Sequence, residues 1–273
     1  MKSTAQVTVS VVIPTKNRPA EIARMLASLR AQPTMPLEVI VVDQSTPAYD
    51  LEPFAELVHV HDPALSGLTA ARNRGVDLAR GDVLLFFDDD VLLDSDCVAE
   101  VAALFARRPD VVGAQCTIHN PWDDLPTSLY DISTRIFEHG FFDSRPMRRG
   151  ADEVPRLIDG LASAYRRTVF ERERFDEAGL AGYCLAEDWD FTKRAGRHGN
   201  LILIPAARVR HVHSSANRPD VQRYLELRWK NILYLYDKLE AGHDLRNRFW
   251  KLWWMLGERL RSIRLALRTR PLP

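Results

Sequence analysis

The sequence predicts an α/β fold, in which a mixed, mostly parallel sheet carries helices on both faces and a C-terminal helical extension follows. Three observations predict it. Short β-branched runs alternate with helix-length segments over the first 115 residues. Several of those runs are apolar at every position, as strands covered on both faces are. From residue 220 onward the pattern is helical throughout. Strand–helix alternation argues for parallel strands joined by crossovers. In such sheets ligands bind beyond the carboxyl ends of the strands.

Residues 7–13 are rich in β-branched side chains and read as the first strand. Pro19 stands where a helix starts, and Ile22, Met25, Leu26 and Leu29 share one helical face before Pro33 and Pro36. Residues 39–42 form a second, wholly apolar strand, and 57–60 a weaker one. Ser66 is placed to cap the next helix, with Leu68, Ala71, Gly75 and Leu78 toward the core and Gly81 ending it. Residues 83–87 are again apolar throughout. Val98, Val101, Ala102 and Phe105 mark a helix closed by Pro109, and 111–114 a further strand. Residues 116–158, with prolines at 121, 126, 146 and 155, read as insertion and loop. They carry Trp122, Tyr130, Phe137, Phe141 and Phe142, scattered through the segment. The pattern reads as one domain over 1–219, divided at 115 into a regular part (1–115) and a less regular part (116–219), and an extension over 220–273.

The chain has 273 residues with 37 Lys+Arg and 37 Asp+Glu, a net charge of zero. The balance is uneven, for residues 205–273 hold 15 Lys/Arg against 6 Asp/Glu. Cys97, Cys116 and Cys184 are spaced neither as a zinc site nor as a disulfide framework, which fits a reduced, cytoplasmic protein. The N-terminal residues do not read as a signal peptide, and no run approaches the roughly 18 apolar residues needed to span a bilayer.

Three carboxylates, Asp88, Asp89 and Asp90, directly follow the apolar run 83–87. Crowded carboxylates repel, and burial raises the cost, so a compensating divalent cation is one reading and a solvated acidic turn the other. Mg2+ and Mn2+ take oxygen ligands and share them with substrate phosphates. Asp43 ends another buried strand in the same manner, as a hydrogen-bond acceptor for a base or ribose, or as an ordinary turn residue. Asn17 and Arg18 lie just past the first strand, and Arg72 and Asn73 lie on the helix after Gly67, where arginines could neutralise a diphosphate. Glu187-Asp188-Trp189-Asp190 either caps a short helix or supplies a general base. His211 and His213 share a face if they lie on a strand, and either could ligate a metal.

Taken in order, these pieces resemble glycosyltransferase family 2, whose fold is GT-A. The matching stretches are VSVVIPTKNR (9–18), VIVVDQST (39–46), SGLTAARNRG (66–75), DVLLFFDDDVLLD (82–94), GLASAYRR (160–167), GLAGYCLAEDWDFTKRAGRHG (179–199) and PAARVRHVHSS (205–215). The resemblance implies an inverting transfer of a sugar from a nucleotide-diphosphate donor to a hydroxyl of a glycan or lipid-linked acceptor, of the kind found in the cell envelope. It implies that Pro14, Thr15, Asn17 and Arg18 form the first nucleotide-binding loop, that Asp43 holds the base, and that Arg72 and Asn73 line the nucleotide crevice. Asp88, Asp89 and Asp90 match the D-x-D motif, with Asp88 by the ribose or donor sugar and Asp90 a ligand of Mn2+ or Mg2+. His211, or alternatively His213, completes the metal site, and Asp188 is the base. Residues 160–167 would pass beneath the donor sugar. One departure stands out: Gln44-Ser45 follows the base-binding Asp where an acidic or Asn-Gly pair is common, which leaves the nucleotide open.

Phe249, Trp253, Leu256, Leu260, Ile263 and Leu267 recur at helical spacing, widened by Trp250 and Trp254. Residues 246–273 hold eight basic side chains and one acidic. Such a helix suits peripheral contact with a membrane, and the other occupants are the catalytic domain or a second subunit in a homo-oligomer. No nucleic-acid partner is expected. The rival classes are a sugar nucleotidyltransferase, which would carry a Gly-rich basic loop after its first strand, and an inactive glycan-binding or scaffold protein, which would lack the aspartates. The absence of G-x-G-x-x-G and of G-x-x-x-x-G-K-[ST] argues against a dehydrogenase and a P-loop enzyme.

Overall fold

The computed structural model describes residues 7–94, 96–120, 147–149, 152–154, 157–180, 182–214, 220–239 and 245–268. The rings at 122, 130, 137, 141 and 142 lie outside them. Ten strands run in chain order: β1 (Val9–Thr15), β2 (Glu38–Asp43), β3 (Leu57–His61), β4 (Val83–Phe87), β5 (Val91–Leu93), β6 (Val111–His119), β7 (Met147–Arg149), β8 (Asp152–Val154), β9 (Ala162–Arg166) and β10 (Asn200–His211). The helices are α1 (Pro19–Arg30), α2 (Leu68–Leu78), α3 (Cys97–Arg107), α4 (Glu187–Ala195), α5 (Val221–Leu239) and α6 (Leu245–Arg268), with a 3-10 turn at Arg167–Glu171.

Eight strands form one sheet in the order β3-β2-β1-β4-β9-β6-β10-β5, and β7 pairs with β8 separately. β1 lies parallel to β2 and β4, and β10 to β6, whereas β9 runs antiparallel to both β4 and β6, and β5 antiparallel to β10. The fold is therefore the predicted mixed, mostly parallel sheet. Alternation sorts each central strand between two cores. Val11, Ile13, Leu85 and Phe87 join α1 and α3 on one face, while Val12, Leu84 and Phe86 join Ala71 of α2 and Phe191 of α4 on the other. Phe86, Tyr165, Phe170, Phe175 and Phe191 interlock there, with Phe175 stacked 4.3 Å from Phe191 between centroids.

Several sequence expectations change. Ser66 does not cap α2: Gly67 does, at φ 96, a left-handed backbone that favours glycine, and no side chain bonds the helix end. The buried face of α2 is Thr69, Ala70, Ala71, Arg72, Asn73, Gly75 and Val76, and the helix closes at Ala79 before Gly81. β6 continues past Ala114 to His119, and β5 and β9 were not foreseen.

The chain divides into two compact units, residues 1–123 with 146–218 and residues 124–145 with 219–273. In the second, α5 and α6 form a hairpin closed by Trp254, only 1% exposed, whose ring lies 5.7 Å from that of Trp229. Arg228 pairs with Glu258 at 3.1 Å across the same contact. Among the described residues, no helix is long and apolar enough to cross a membrane.

Candidate functional site

The topology sends chemistry to one edge of the sheet. β1, β2, β4, β6 and β10 all end there, and β9, running the other way, begins there. Thr15 pairs in register with Asp43, Phe87 with Ala162, and His211 with Val91. Residues at the ends of five strands and the starts of two therefore share one rim.

At the end of β1, Pro14 and Thr15 are buried in the sheet, and Asn17 enters the left-handed region at φ 53. Its backbone N–H donates to Ser45 Oγ at 2.8 Å, and its side chain accepts from Thr46 N at 3.2 Å, so the loops after β1 and β2 are stitched together. Asp43 is fully buried. It accepts hydrogen bonds from Ser45 N at 2.8 Å and Tyr49 N at 3.2 Å, and lies 3.3 Å from His59 Nε2. Burial alone would raise this carboxyl, but those donors outweigh it and hold the pKa below the ordinary carboxylate value. Asp43 thus shapes the loop at 44–49. His59 and His61, two residues apart on β3 and so on one face, back that loop.

The three aspartates after β4 have three different surroundings. Asp88 is about one-third exposed and accepts from Arg72 Nη2 at 3.1 Å. Asp89 is buried, accepting from Thr15 Oγ1 at 2.8 Å and Arg18 Nη1 at 2.9 Å, and burial lifts its pKa to about 6 against those partners. Asp90 is also buried, yet held down to about 2. Burial opposes ionisation there, but His211, Ser214 N at 3.1 Å and Arg18 at 3.5 Å favour the charged form. His211 Nε2 lies 3.4 Å from Asp90 Oδ1, and its Nδ1 is 3.1 Å from Asn120 Oδ1. Were a cation bound between Asp90 and Nε2, the ring proton would sit on Nδ1 and be donated to Asn120, the arrangement that orients metal-binding histidines. His213 leaves the strand at φ 53 and is exposed, its ring 5.4 Å from that of His211. The H-x-H pair therefore does not share a strand face.

A carboxylate oxygen and an imidazole nitrogen are ligand types that suit Mn2+ or Mg2+, which take the rest of their shell from phosphate and water. Among the described residues, no group of three or more His, Cys, Asp or Glu gathers as an all-protein metal cage would.

Arg72 is 1% exposed. Its guanidinium donates to Glu187 Oε1 at 2.6 Å, Asp88 Oδ1 at 3.1 Å and Gly160 O at 2.9 Å, and sits 5.5 Å above the Phe175 ring. A Cβ on Gly160 would come within 2.7 Å of both terminal nitrogens, so only glycine leaves room for this seat. The expected crevice-lining arginine is thus a buried strut between the aspartate turn and α4. Asn73 likewise faces protein, bonding Phe175 N and O at 3.0 and 2.9 Å and Glu177 at 2.6 Å.

Of the carboxylates that open α4, Asp190 is buried in an ion pair with Arg194 at 2.5 Å. Asp188 is partly exposed, accepting from Trp189 N at 2.8 Å and Gly160 N at 3.4 Å. Crowding by protein raises its pKa well above the ordinary value, and the charges of Glu187 and Asp159 add to the rise against Arg72. Asp159 did not emerge from the sequence. Its backbone N–H donates to Gln115 Oε1, its Oδ1 accepts from Leu161 N at 3.0 Å, and its side chain stays open to solvent at the start of β9. Desolvation on its protein side raises this carboxyl, Asp88 adds to it, and Arg72 and His211 oppose. No sequence signal singles out a lone Asp in a loop.

A mixed sheet of this order, with its loops gathered at one edge, has the GT-A fold, and two solved structures align with it. A mannosyltransferase from Pyrobaculum calidifontis, PcManGT, in complex with GDP-Man and Mn2+, aligns with 98% of this chain and 77% of its own, at TM-score 0.59 and 16% identity. GalNAc-T7 with UDP, GalNAc and Mn2+ aligns with 89% of this chain at TM-score 0.58 and 17% identity, and the present chain spans about half (53%) of it. Among curated proteins, the uncharacterized glycosyltransferase YwdF of Bacillus subtilis is 28% identical over 241 residues, covering 87% of this chain and 84% of its own. A PGL/p-HBAD biosynthesis glycosyltransferase of Mycobacterium tuberculosis H37Rv is 28% identical over 220 residues, covering 75% and 73%. The family model described as glycosyl transferase family 2 matches residues 10–173, and the chain belongs to that family. The protein is a glycosyltransferase.

Proposed function

We propose that the protein moves a sugar, with inversion, from a nucleotide-diphosphate donor to a hydroxyl of a cell-envelope glycan or lipid-linked saccharide. The observation that carries this reading is the convergence of Asp88–Asp90, His211, Asp159 and Asp188 with the loops of Asn17 and Asp43 on one rim. The M. tuberculosis relative, named for PGL/p-HBAD biosynthesis, supports an envelope acceptor. The nucleotides and Mn2+ in the two structural neighbours support the donor class and the metal. Three buried free thiols agree with a cytoplasmic site of action. We assign the donor nucleotide to residues 1–115, the acceptor to 116–219, and the extension to 220–273.

Asp90 and His211 would hold Mn2+ or Mg2+, which would supply Lewis-acid stabilisation of the negative charge growing on the departing diphosphate. Asp89 anchors Arg18 and Thr15, keeping the first loop against the aspartate turn. Asp43 fixes the loop that receives the base. Asp88, tethered by Arg72, faces the ribose or donor sugar. Asp188 takes the proton from the acceptor hydroxyl as it attacks the anomeric carbon, in one in-line displacement.

The reading is tested by nucleotide release from a panel of nucleotide sugars, with and without Mn2+ or Mg2+. Metal-stimulated release of one nucleoside diphosphate is expected. Asp90→Ala should lose more than the roughly 10–100-fold that removing an outer partner of a metal site costs. Silence across the panel, with no nucleoside diphosphate bound in calorimetry, would refute it in favour of an inactive binding protein.

Asp159 presents a carboxylate oxygen to the rim beside Asp88, where it can accept a hydroxyl of the transferred sugar. Asp159→Asn is expected to lower kcat/KM for the preferred donor by about tenfold, the scale of one hydrogen bond to a charged group. A donor lacking the contacted hydroxyl should show little further loss in that variant. An equal loss for every deoxy-donor would remove Asp159 from the sugar site.

A further inference from the structure

We infer that α6 is an in-plane anchor for an anionic lipid surface, a function separate from the transfer chemistry. Among the described side chains of this helix, the exposed large apolar ones are Leu245, Phe249, Leu252, Leu256 and Leu260, at 79%, 54%, 65%, 49% and 49%. Their spacings of four, three, four and four gather them on one side of a helix, within about 80° at 100° per residue. The sequence continues the same spacing with Ile263 and Leu267. The hairpin uses a different side of α6: Trp254, Gly257 and Glu258 are buried, Glu258 pairs with Arg228, and Lys251 pairs with Asp237 at 2.5 Å. This corrects the wider stripe drawn from sequence, because Trp254 belongs to the hairpin contact and Leu245 and Leu252 belong to the exposed side.

Charge identifies the occupant. Exposed Arg248 and Arg259 lie alongside the leucines, and beyond them the sequence adds Arg261, Arg264, Arg268 and Arg270. Glu258 is the only acidic residue from 246 to 273, and it is buried. A second copy of the chain pairing leucine to leucine would bring arginine against arginine, without the opposite charges that flank a coiled-coil seam. Nucleic acid would use the arginines and leave the leucines in water. An anionic bilayer surface satisfies both, with leucines in the acyl boundary and arginines at the headgroups. The helix has 24 residues, about 36 Å of contact line.

The test is flotation of the full chain with vesicles of phosphatidylcholine alone and of equal parts phosphatidylcholine and phosphatidylglycerol, at low and high salt. The chain should float with the anionic vesicles and bind the neutral ones about tenfold less, with high salt weakening the difference. Leu252→Glu/Leu256→Glu/Leu260→Glu should lose binding about tenfold or more while keeping its melting curve and its nucleotide-sugar hydrolysis. Should that variant misfold, Leu252→Ser and Leu256→Ser are read singly, and each must weaken flotation. The inference is overturned if the wild type floats with neither vesicle or if the substitutions leave flotation unchanged. It is also overturned if light scattering finds a wild-type dimer that the substitutions convert to monomer, since the leucines then face a second copy.

Discussion

Asp188→Asn is expected to reduce turnover by about 10²–10⁴-fold, the usual contribution of a positioned general base. That is roughly 3–5 kcal/mol of barrier. The substitution is close to isosteric. The amide oxygen still accepts from Trp189 N, which lies 2.8 Å from Oδ1, and the amide NH2 replaces Oδ2 at the cost of only the longer, 3.4 Å contact from Gly160 N, so the opening of α4 keeps most of its shape. Donor binding should change little, which separates this variant from those that disturb the nucleotide loops. The pH profile gives a second readout. Crowding raises the Asp188 carboxyl well above the ordinary value, with Glu187 and Asp159 adding to it. The protonated acid cannot accept a proton, so kcat/KM should climb with pH, about tenfold per unit below the raised pKa, and level off above it. Asp188→Asn should keep only a residual, pH-flat rate. A variant that retains both the rate and the ascending limb would show that another group takes the proton, with Asp159 the next carboxylate on the rim.

What was legible in the sequence follows from which interactions are local. β2 and β4 were readable because a strand buried on both faces is a nearly continuous apolar run, and Val39-Ile40-Val41-Val42 has no other use for that pattern, while β1 was readable from its β-branched content despite the buried Ser10. The aspartate turn was readable because three adjacent carboxylates need an explanation wherever they lie. β9 was not readable. Its small residues Ala162 and Ala164 are set by the large side chains opposite, Phe87 and Leu85, on a strand some 80 positions earlier. Arg72 was found as a residue but not as a role. A charged residue on a helix near a strand end suggests a ligand, whereas its partner Glu187 is 115 positions away and invisible to spacing. Asp159 and Gln115 were missed for the same reason, since each becomes notable only when the other is beside it. The amphipathic stripe of α6 was visible from its period, but which apolar residues face the hairpin depends on α5.

Arg72→Met should be the most destabilising single change at the rim. It deletes three hydrogen bonds and leaves Glu187, 8% exposed, and Asp88 without their shared cation. Breaking a buried pair from one side costs about 3–5 kcal/mol. In a chain of this size that lowers Tm by about 10 °C. The sign of the pH dependence distinguishes this cause from lost packing. Burial already raises the Glu187 pKa, and Arg72 is the first influence opposing that rise. Without Arg72 the folded state binds a proton that the unfolded state has released above its ordinary pKa, so folding stability falls as pH rises. The Tm gap between variant and wild type should therefore be small near pH 5 and widen toward pH 8. A gap constant across that range would mean the loss is one of volume. Arg72→Lys restores a charge but not the planar fork that reaches Glu187, Asp88 and Gly160 O together, so it should recover part of the stability and little of the activity. Gly160→Ala attacks the same seat from the other side, with a Cβ 2.7 Å from both guanidinium nitrogens. It should lower kcat/KM by about 10²-fold, because Asp88 and the opening of α4 are displaced relative to each other. In Arg72→Met, where no guanidinium remains to be displaced, the added methyl should cost much less. That non-additivity is the signature of a strut and would be absent if Arg72 and Gly160 acted on the donor independently.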